Sequence, residues 1–175
     1  MFVAVWPDDA TMHRLSLLEL GTARGLRLVG PRQWHITLRF LGDVDDDLAP
    51  ALVTAIGAAT GSMERPVHCE VGPATAWFAS QRVLQLPVAG LEEAAGAVWA
   101  ATVPLVPSAQ RGNAGFRGHL TLARATRRME GATRARFAGI RFTATFAVES
   151  FDLVASHLSS EGPRYTTLGR VALSG

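Results

Sequence analysis

Residues 35–38 read His-Ile-Thr-Leu and residues 119–122 read His-Leu-Thr-Leu, so one four-residue pattern occurs twice in the chain. Each copy lies in a run of strand-forming residues. Two such strings by chance have odds on the order of one in a thousand. We call these two segments the histidine motifs, and their repetition predicts two similar halves that each contribute one motif.

Alternation along a strand predicts where the side chains of each motif point. Residues i and i+2 share a face, so His35 is expected beside Thr37, and His119 beside Thr121, while the residues between them face the core. The same alternation places Arg39 on the face of His35. Arg39 is therefore a candidate phosphate ligand.

The rest of the chain mixes helical and extended patterns, with hairpins late. Apolar runs predict strands at 2–5, 26–29, 34–41, 67–71, 82–88, 116–124, 141–154 and 165–173. Helical periodicity predicts helices after Asp8 or Asp9, either of which can cap the first helix, over 45–56 and 91–102, and near 133–137. Loops are predicted around Trp77 and Phe78 and over Ser108–Gly115. This order favours an α+β fold of two similar lobes over a doubly wound sheet. A length of 175 residues suits one domain, 1–175.

Composition predicts a folded domain and narrows its partners. Hydrophobic residues make up 48% and charged residues 18% of the chain, and all 17 basic residues are arginine. Guanidinium groups grip phosphate with a planar fork, which favours a phosphate or nucleic-acid partner. An arginine-rich genome explains the same composition equally well. The segment from Arg117 to Arg141 has Glu130 as its sole acid and fits an RNA track or a solvated surface.

Other features of the sequence exclude several classes of protein. The single cysteine, Cys69, excludes an intramolecular disulfide and a cysteine zinc site. The first ten residues lack the pattern of a secretory signal, and no apolar run reaches membrane-spanning length. We therefore expect a cytoplasmic protein with no membrane partner, and we infer no obligate protein partner.

Two imidazoles and two hydroxyls in one cleft are suited to acid–base chemistry at phosphorus. One neutral imidazole takes a proton from water, a protonated one gives a proton to the leaving oxygen, and hydroxyls hold the phosphate. A strained cyclic phosphodiester fits best, because this chemistry needs no metal and no cofactor. Histidines that only pack in strands, or that bind a metal, are the alternatives, and the latter lacks carboxylates at ligand spacing.

These residues resemble the two-histidine (2H) phosphoesterase superfamily, and within it the RNA 2′,3′-cyclic phosphodiesterase family, also called 2′-5′ RNA ligases. The resemblance spans nearly the full chain. It is carried by FVAV at 2–5, HITLRFLGDV at 35–44, FRGHLTLAR at 116–124 and FDLVASHLSSEGPRYTTL at 151–168.

The resemblance implies a bilobal fold with pseudo-twofold symmetry, antiparallel sheets flanking a central cleft, and helices outside. It implies that His35 is the proton donor to the 3′ oxygen and that His119 is the proton acceptor from water. It also implies that Thr37 and Thr121 hold the phosphate. By the same resemblance, two further residues sandwich a nucleobase: Phe40 and Arg124. Strict alternation turns these two away from the histidines, so a bulge or twist is needed to bring them inward.

Three functions agree with these observations. The first is metal-independent hydrolysis of RNA 2′,3′-cyclic phosphate ends to 2′-phosphomonoesters, with reversible 2′-5′ ligation as an accompanying reaction. The second applies the same chemistry to small cyclic nucleotide phosphates or 2′-5′ oligonucleotides. The third is recognition of RNA ends without turnover, which does not require a matched acid and base.

Overall fold

The strands that the apolar runs predict are present, and they pair antiparallel. The computed structural model describes residues 1–78, 81–107, 115–159 and 162–173. The strands are β1 (Phe2–Val5), β2 (Leu26–Leu28), β3 (Ile36–Phe40), β4 (His68–Val71), β5 (Ala76–Trp77), β6 (Val83–Ala89), β7 (His119–Ala125), β8 (Ala144–Ala147), β9 (Ser150–Ser159) and β10 (Gly162–Ala172). The short β5 lies where the sequence predicted a loop, because two residues are too few to show alternation.

The strand order is symmetric about the two strands that carry the histidine motifs. Pairing follows β10-β9-β1-β3-β7-β6-β4-β8, with β2 beside β7 and β5 beside β6. Strand β3 is followed outward by β1, β9 and β10, and strand β7 is followed outward by β6, β4 and β8. The prediction of two similar α+β lobes is confirmed, and the sheets of the two lobes meet edge to edge at β3 and β7.

Within the described residues, four α-helices cover one face of this sheet or its edges. They are α1 (Asp9–Ser16), α2 (Ala49–Thr60), α3 (Glu92–Thr102) and α4 (Gly131–Ala135). Of the two predicted caps, Asp8 caps α1: its carboxylate accepts a hydrogen bond of 2.8 Å from the Thr11 amide. Helices α2 and α3 pack against each other, and α3 packs on β3. Their apolar side chains share one core with Ile36 and Leu120, so this core face is opposite the histidines.

Two predictions concern segments outside this framework. The predicted loop Ser108–Gly115 lies mostly outside the described residues, which exclude 108–114. In the described part of the chain, no helix is long and apolar enough to span a bilayer.

Candidate active site

Strand register brings the two histidine motifs side by side. Ile36 pairs with Leu120 in the antiparallel ladder between β3 and β7. Moving one residue in opposite directions from this pair brings His35 opposite Thr121, and Thr37 opposite His119. Each imidazole therefore has the hydroxyl of the other motif as its cross-strand neighbour, on the face of the sheet that we call the histidine face.

The two imidazoles are oriented by the same local hydrogen bond. His35 Nδ1 lies 2.7 Å from the Gln33 carbonyl oxygen, and His119 Nδ1 lies 2.9 Å from the Arg117 carbonyl oxygen. A carbonyl only accepts, so Nδ1 carries the hydrogen in each ring. The remaining nitrogen, Nε2, is then the one that exchanges a proton with a ligand.

Backbone close packing fixes the start of the second motif strand. The Val88 amide donates a hydrogen bond of 2.9 Å to the Gly118 carbonyl oxygen. A β-carbon at Gly118 would lie 2.5 Å from the Val88 carbonyl oxygen. Glycine is therefore required immediately before His119, because any side chain would push β6 and β7 apart.

A β-bulge follows each histidine at the same position. Between β1 and β3 the register shifts so that Leu38 has no partner, and between β6 and β7 the same holds for Leu122. An extra residue reverses the alternation beyond it. Phe40 therefore shares the face of Thr37, and Arg124 shares the face of Thr121. The turn inward that strict alternation could not explain has its cause in these two bulges.

The bulge at Leu38 also corrects the prediction that Arg39 lies on the histidine face. Arg39 is only 3% exposed and pairs with Val3, whose side chain is in the core. Its guanidinium lies 4.1 Å from the centroid of the Trp99 ring. It donates hydrogen bonds to the Trp99 carbonyl at 2.9 Å and to Thr102 Oγ1 at 2.5 Å. The Arg39 side chain therefore binds helix α3 in the core and does not face the histidines.

Phe40 and Arg124 lie at opposite ends of the histidine face. Counted from the Ile36–Leu120 pair, Phe40 is four residues along β3 and Arg124 is four residues along β7, which runs the other way. At about 3.3 Å per residue, less the two bulges, their backbones are roughly 20 Å apart. The expectation that these two residues sandwich one nucleobase stays a prediction, and it requires both side chains to extend along the face toward the same base.

His35 is enclosed by three aromatic rings. The Phe2 ring stacks on it at 4.8 Å, the Tyr165 ring meets it edge-on at 5.2 Å, and the Trp6 ring lies 5.4 Å away. The pKa of His35 is lowered to about 4, mainly by burial among these rings. The nearby positive charge of Arg124 contributes to this lowering. The hydrogen bond to the Gln33 carbonyl acts to raise the pKa. At neutral pH the ligand-free imidazole is neutral.

His119 lies at the edge of an open cavity. The cavity is ≈ 620 Å³ in volume, and Thr37, Phe40, Phe78 and Phe116 are among the side chains that line it with His119. The Phe78 ring centroid is 4.8 Å from that of His119. This volume is within the usual range for a small-molecule site. We call this region the aromatic end of the histidine face.

Two further residues of the histidine face were not predicted. Gln85 is 7% exposed, pairs with Thr121 across β6 and β7, and has a side-chain oxygen with no hydrogen-bond partner in the described part of the chain. A lone amide inside an apolar strand was the available sequence signal. Tyr165 reaches His35 from β10, which the sequence alone could not place, because the contact joins the two ends of the chain.

The donor set is suited to proton transfer at an anionic ligand. The two threonine hydroxyls have no hydrogen-bond partner among the described residues and are free to bind oxygen atoms. In the same ranges, no three histidine, cysteine or carboxylate side chains form a cluster with metal-ligand spacing. Two Nε2 atoms and two hydroxyls on one rigid face can hold a phosphate and move protons on either side of it.

Comparison with known proteins agrees with this geometry. A family model described as LigT-like phosphoesterase matches residues 10–70. A Thermus thermophilus protein named RNA 2′,3′-cyclic phosphodiesterase is 30% identical over 195 residues, which cover 100% of this chain and 90% of that protein. The chain belongs to the LigT-like phosphoesterase family. The resemblance drawn from the histidine motifs is thus confirmed, and the protein is a phosphoesterase, as its sequence predicted.

Solved structures of LigT-like phosphoesterases share the fold. The Thermus thermophilus protein TT0787 superimposes with a TM-score of 0.81 at 28% identity, over 98% of this chain and 96% of that chain. Escherichia coli LigT in complex with NADP⁺ superimposes with a TM-score of 0.73 at 25% identity, over 98% and 96% of the two chains. The similarity covers both lobes, including the strands of both motifs.

Proposed function

We propose that this LigT-like phosphoesterase hydrolyses the 2′,3′-cyclic phosphate end of RNA to a 2′-phosphomonoester without a metal ion. The observation that carries the proposal is the Ile36–Leu120 register, which sets two imidazoles and two hydroxyls on one face. The name of the Thermus relative supports this choice of substrate. The strained five-membered ring lowers the barrier enough for an acid–base pair to act alone.

The reaction is an in-line displacement at phosphorus. His119 Nε2 accepts a proton from water as the water oxygen bonds to phosphorus. The bond from phosphorus to the 3′ oxygen breaks, and His35 Nε2 gives that oxygen a proton. Thr37 and Thr121 donate hydrogen bonds to the non-bridging oxygens, whose charge grows in the transition state. When a 5′ hydroxyl takes the place of water, its oxygen bonds to phosphorus, the bond from phosphorus to the 3′ oxygen breaks, and the product is a 2′-5′ phosphodiester.

The donor role of His35 requires a proton that the ligand-free protein lacks. With a pKa of about 4, His35 is neutral at pH 7 until the substrate enters. The anionic phosphate then favours the charged imidazole, because an opposite charge within a few ångströms raises the pKa of a histidine. His35 therefore acquires its proton as part of substrate binding.

Small nucleotides are the second candidate substrate. The cavity of ≈ 620 Å³ beside His119 is of a size for one nucleoside rather than for a chain. A LigT structure with bound NADP⁺ also shows that a member of the family accepts a free nucleotide. On this alternative, the same two histidines open a small cyclic nucleotide phosphate.

One experiment separates these functions. Purified protein is incubated in EDTA with an oligoribonucleotide ending in a 2′,3′-cyclic phosphate, and with adenosine 2′,3′-cyclic phosphate. We expect a 2′-phosphate product from the oligonucleotide, unaffected by EDTA and absent in the His35→Ala/His119→Ala double variant. A 3′-phosphate product would reverse the leaving oxygen and the two histidine roles. Turnover of the mononucleotide alone would favour the second candidate, and binding without turnover would leave only end recognition.

A further inference from the structure

Two arginines lie directly opposite each other on the histidine face. Arg27 of β2 pairs with Arg124 of β7 in the antiparallel ladder. Side chains in such a pair have β-carbons about 5 Å apart, and like charges there destabilise a sheet. Neither guanidinium has an ion pair or hydrogen bond with any described residue. An anion between them would remove this repulsion.

This arginine pair lies close to the reacting groups. Arg124 is three residues beyond Thr121, the cross-strand neighbour of His35, and the bulge at Leu122 shortens that path. The distance along the strand is roughly 7–10 Å. Burial lowers the pKa of His35 and raises the pKa of Tyr165, and in both cases the nearby positive charge of Arg124 acts to lower the pKa, which agrees with this placement.

A groove lies next to Arg27. It has a volume of ≈ 560 Å³ and is lined by Arg32, Gln33, Tyr165 and neighbouring residues of β10. Arg27 reaches this groove: its Nη2 atom lies 2.9 Å from where a β-carbon on Gly162 would be. Within the described part of the chain, the charged side chains lining the groove are arginines.

The wall of the groove is tied to the catalytic imidazole. Gln33 Nε2 donates a hydrogen bond of 2.9 Å to the Pro163 carbonyl oxygen, which links the two sides of the groove. The Gln33 carbonyl accepts the 2.7 Å hydrogen bond from His35 Nδ1. A ligand held in this groove is thus in fixed register with His35. We call the pair and the groove the arginine end of the histidine face.

We propose that Arg27, Arg32 and Arg124 bind the phosphate on the 5′ side of the nucleoside whose cyclic phosphate reacts. This inference rests on the proposed function of the site and names the part of the substrate that lies beyond the reacting group. Guanidinium forks bind phosphate oxygens two at a time, and a phosphate between Arg27 and Arg124 would neutralise their repulsion. The terminal base then extends toward the aromatic end.

The bound group is either an internucleotide phosphate of RNA or the 5′-phosphate of a single nucleotide. Three substrates distinguish these sources: adenosine 2′,3′-cyclic phosphate, its 5′-phosphorylated form, and the dinucleotide ApA with a 2′,3′-cyclic end. We expect the second and third to exceed the first in kcat/KM by roughly tenfold. An advantage of the dinucleotide alone would assign the site to RNA chains, and an advantage of the 5′-phosphorylated form alone would assign it to single nucleotides.

Variants test whether the arginines cause this preference. In Arg27→Gln and in Arg32→Gln we expect the kcat/KM ratio of the phosphate-bearing substrates to adenosine 2′,3′-cyclic phosphate to fall several-fold. In Arg27→Lys we expect this ratio to be partly restored. The slope of log kcat/KM against log salt for the dinucleotide should fall by about one in each glutamine variant. Arg14→Gln is the matched control, because exposed Arg14 lines a separate groove with Phe142 and lies outside the segment from Arg117 to Arg141.

Failure of this inference can be distinguished from failure of the proposed function. Equal kcat/KM for the three substrates, or an equal loss on all three in Arg27→Gln, would overturn the upstream-phosphate site while hydrolysis itself stands. If none of the three is hydrolysed, the proposed function fails. Binding of a 5′-phosphorylated dinucleotide with a 3′-phosphate end then decides: weaker binding by Arg27→Gln than by Arg14→Gln supports the site, and equal binding overturns it.

Discussion

The two histidine motifs are alike in sequence, register and hydrogen bonding, yet their surroundings differ. His35 lies among the rings of Phe2, Trp6 and Tyr165 next to Arg124, whereas His119 borders an open cavity. The repeated local geometry provides two equivalent proton carriers. In the proposed reaction the acid and the base must be in opposite protonation states, and the difference between the two environments supports the different roles that we propose for the two histidines.

The largest expected effect tests whether both motifs take part in the reaction. His35→Ala and His119→Ala should each lower kcat by about 10²–10⁴-fold, the usual contribution of a general acid or base. Circular dichroism should show a retained fold. His157→Ala, at an exposed position on β9, is the control and should keep its turnover. Near-normal kcat in either motif variant would remove that histidine from the mechanism.

A substrate with an activated leaving group distinguishes the roles of the two histidines. Bis(4-nitrophenyl) phosphate releases a nitrophenolate that needs no proton from an acid. We expect His35→Ala to lose roughly tenfold less rate on this diester than His119→Ala, because only the base step remains essential. The measurement is kcat/KM of the two variants on this diester and on the cyclic substrate. The opposite ranking would exchange the two roles.

The aromatic rings around His35 should control its protonation. The kcat/KM profile reports pKa values of the free protein and should bend near pH 4, the pKa of His35. Trp6→Ala admits water to the imidazole, so the bend should move up toward 6.5, the value of an unperturbed histidine. Phe78→Ala, which alters the ring beside His119, should leave this bend in place. An unmoved bend in Trp6→Ala would show that burial does not set this pKa.

The aromatic end is expected to have the smallest of these effects. Phe40 is 67% exposed, and we expect it to stack on the terminal base. Phe40→Ala should therefore raise KM by roughly fivefold to tenfold for a base-bearing cyclic phosphate, with little change in kcat. The matched substrate is methyl ribofuranoside 2′,3′-cyclic phosphate, which lacks a base and should show no such change. An equal KM increase on the two substrates would refute stacking.

Much of the candidate site could be predicted from the sequence because its residues lie close together within two short segments. The His-x-Thr spacing predicts a shared face at each motif, and its repetition predicts two lobes. The prediction that Arg39 lies on the histidine face was wrong because a bulge at Leu38 reverses the alternation. The sequence of one strand does not show that the register between β1 and β3 shifts there. The same reversal brings Phe40 and Arg124 onto the histidine face, where strict alternation did not place them.

The sequence by itself determined the two histidine motifs, the α+β class and the duplicated plan, because spacing along a strand and hydrophobic periodicity are properties of short segments. The tertiary structure decided three further features: the burial that lowers the pKa of His35, the separation of Phe40 from Arg124, and the meeting of Arg27 with Arg124. Each depends on the register between strands that are distant in the chain. That register is set by packing of the whole sheet against its core.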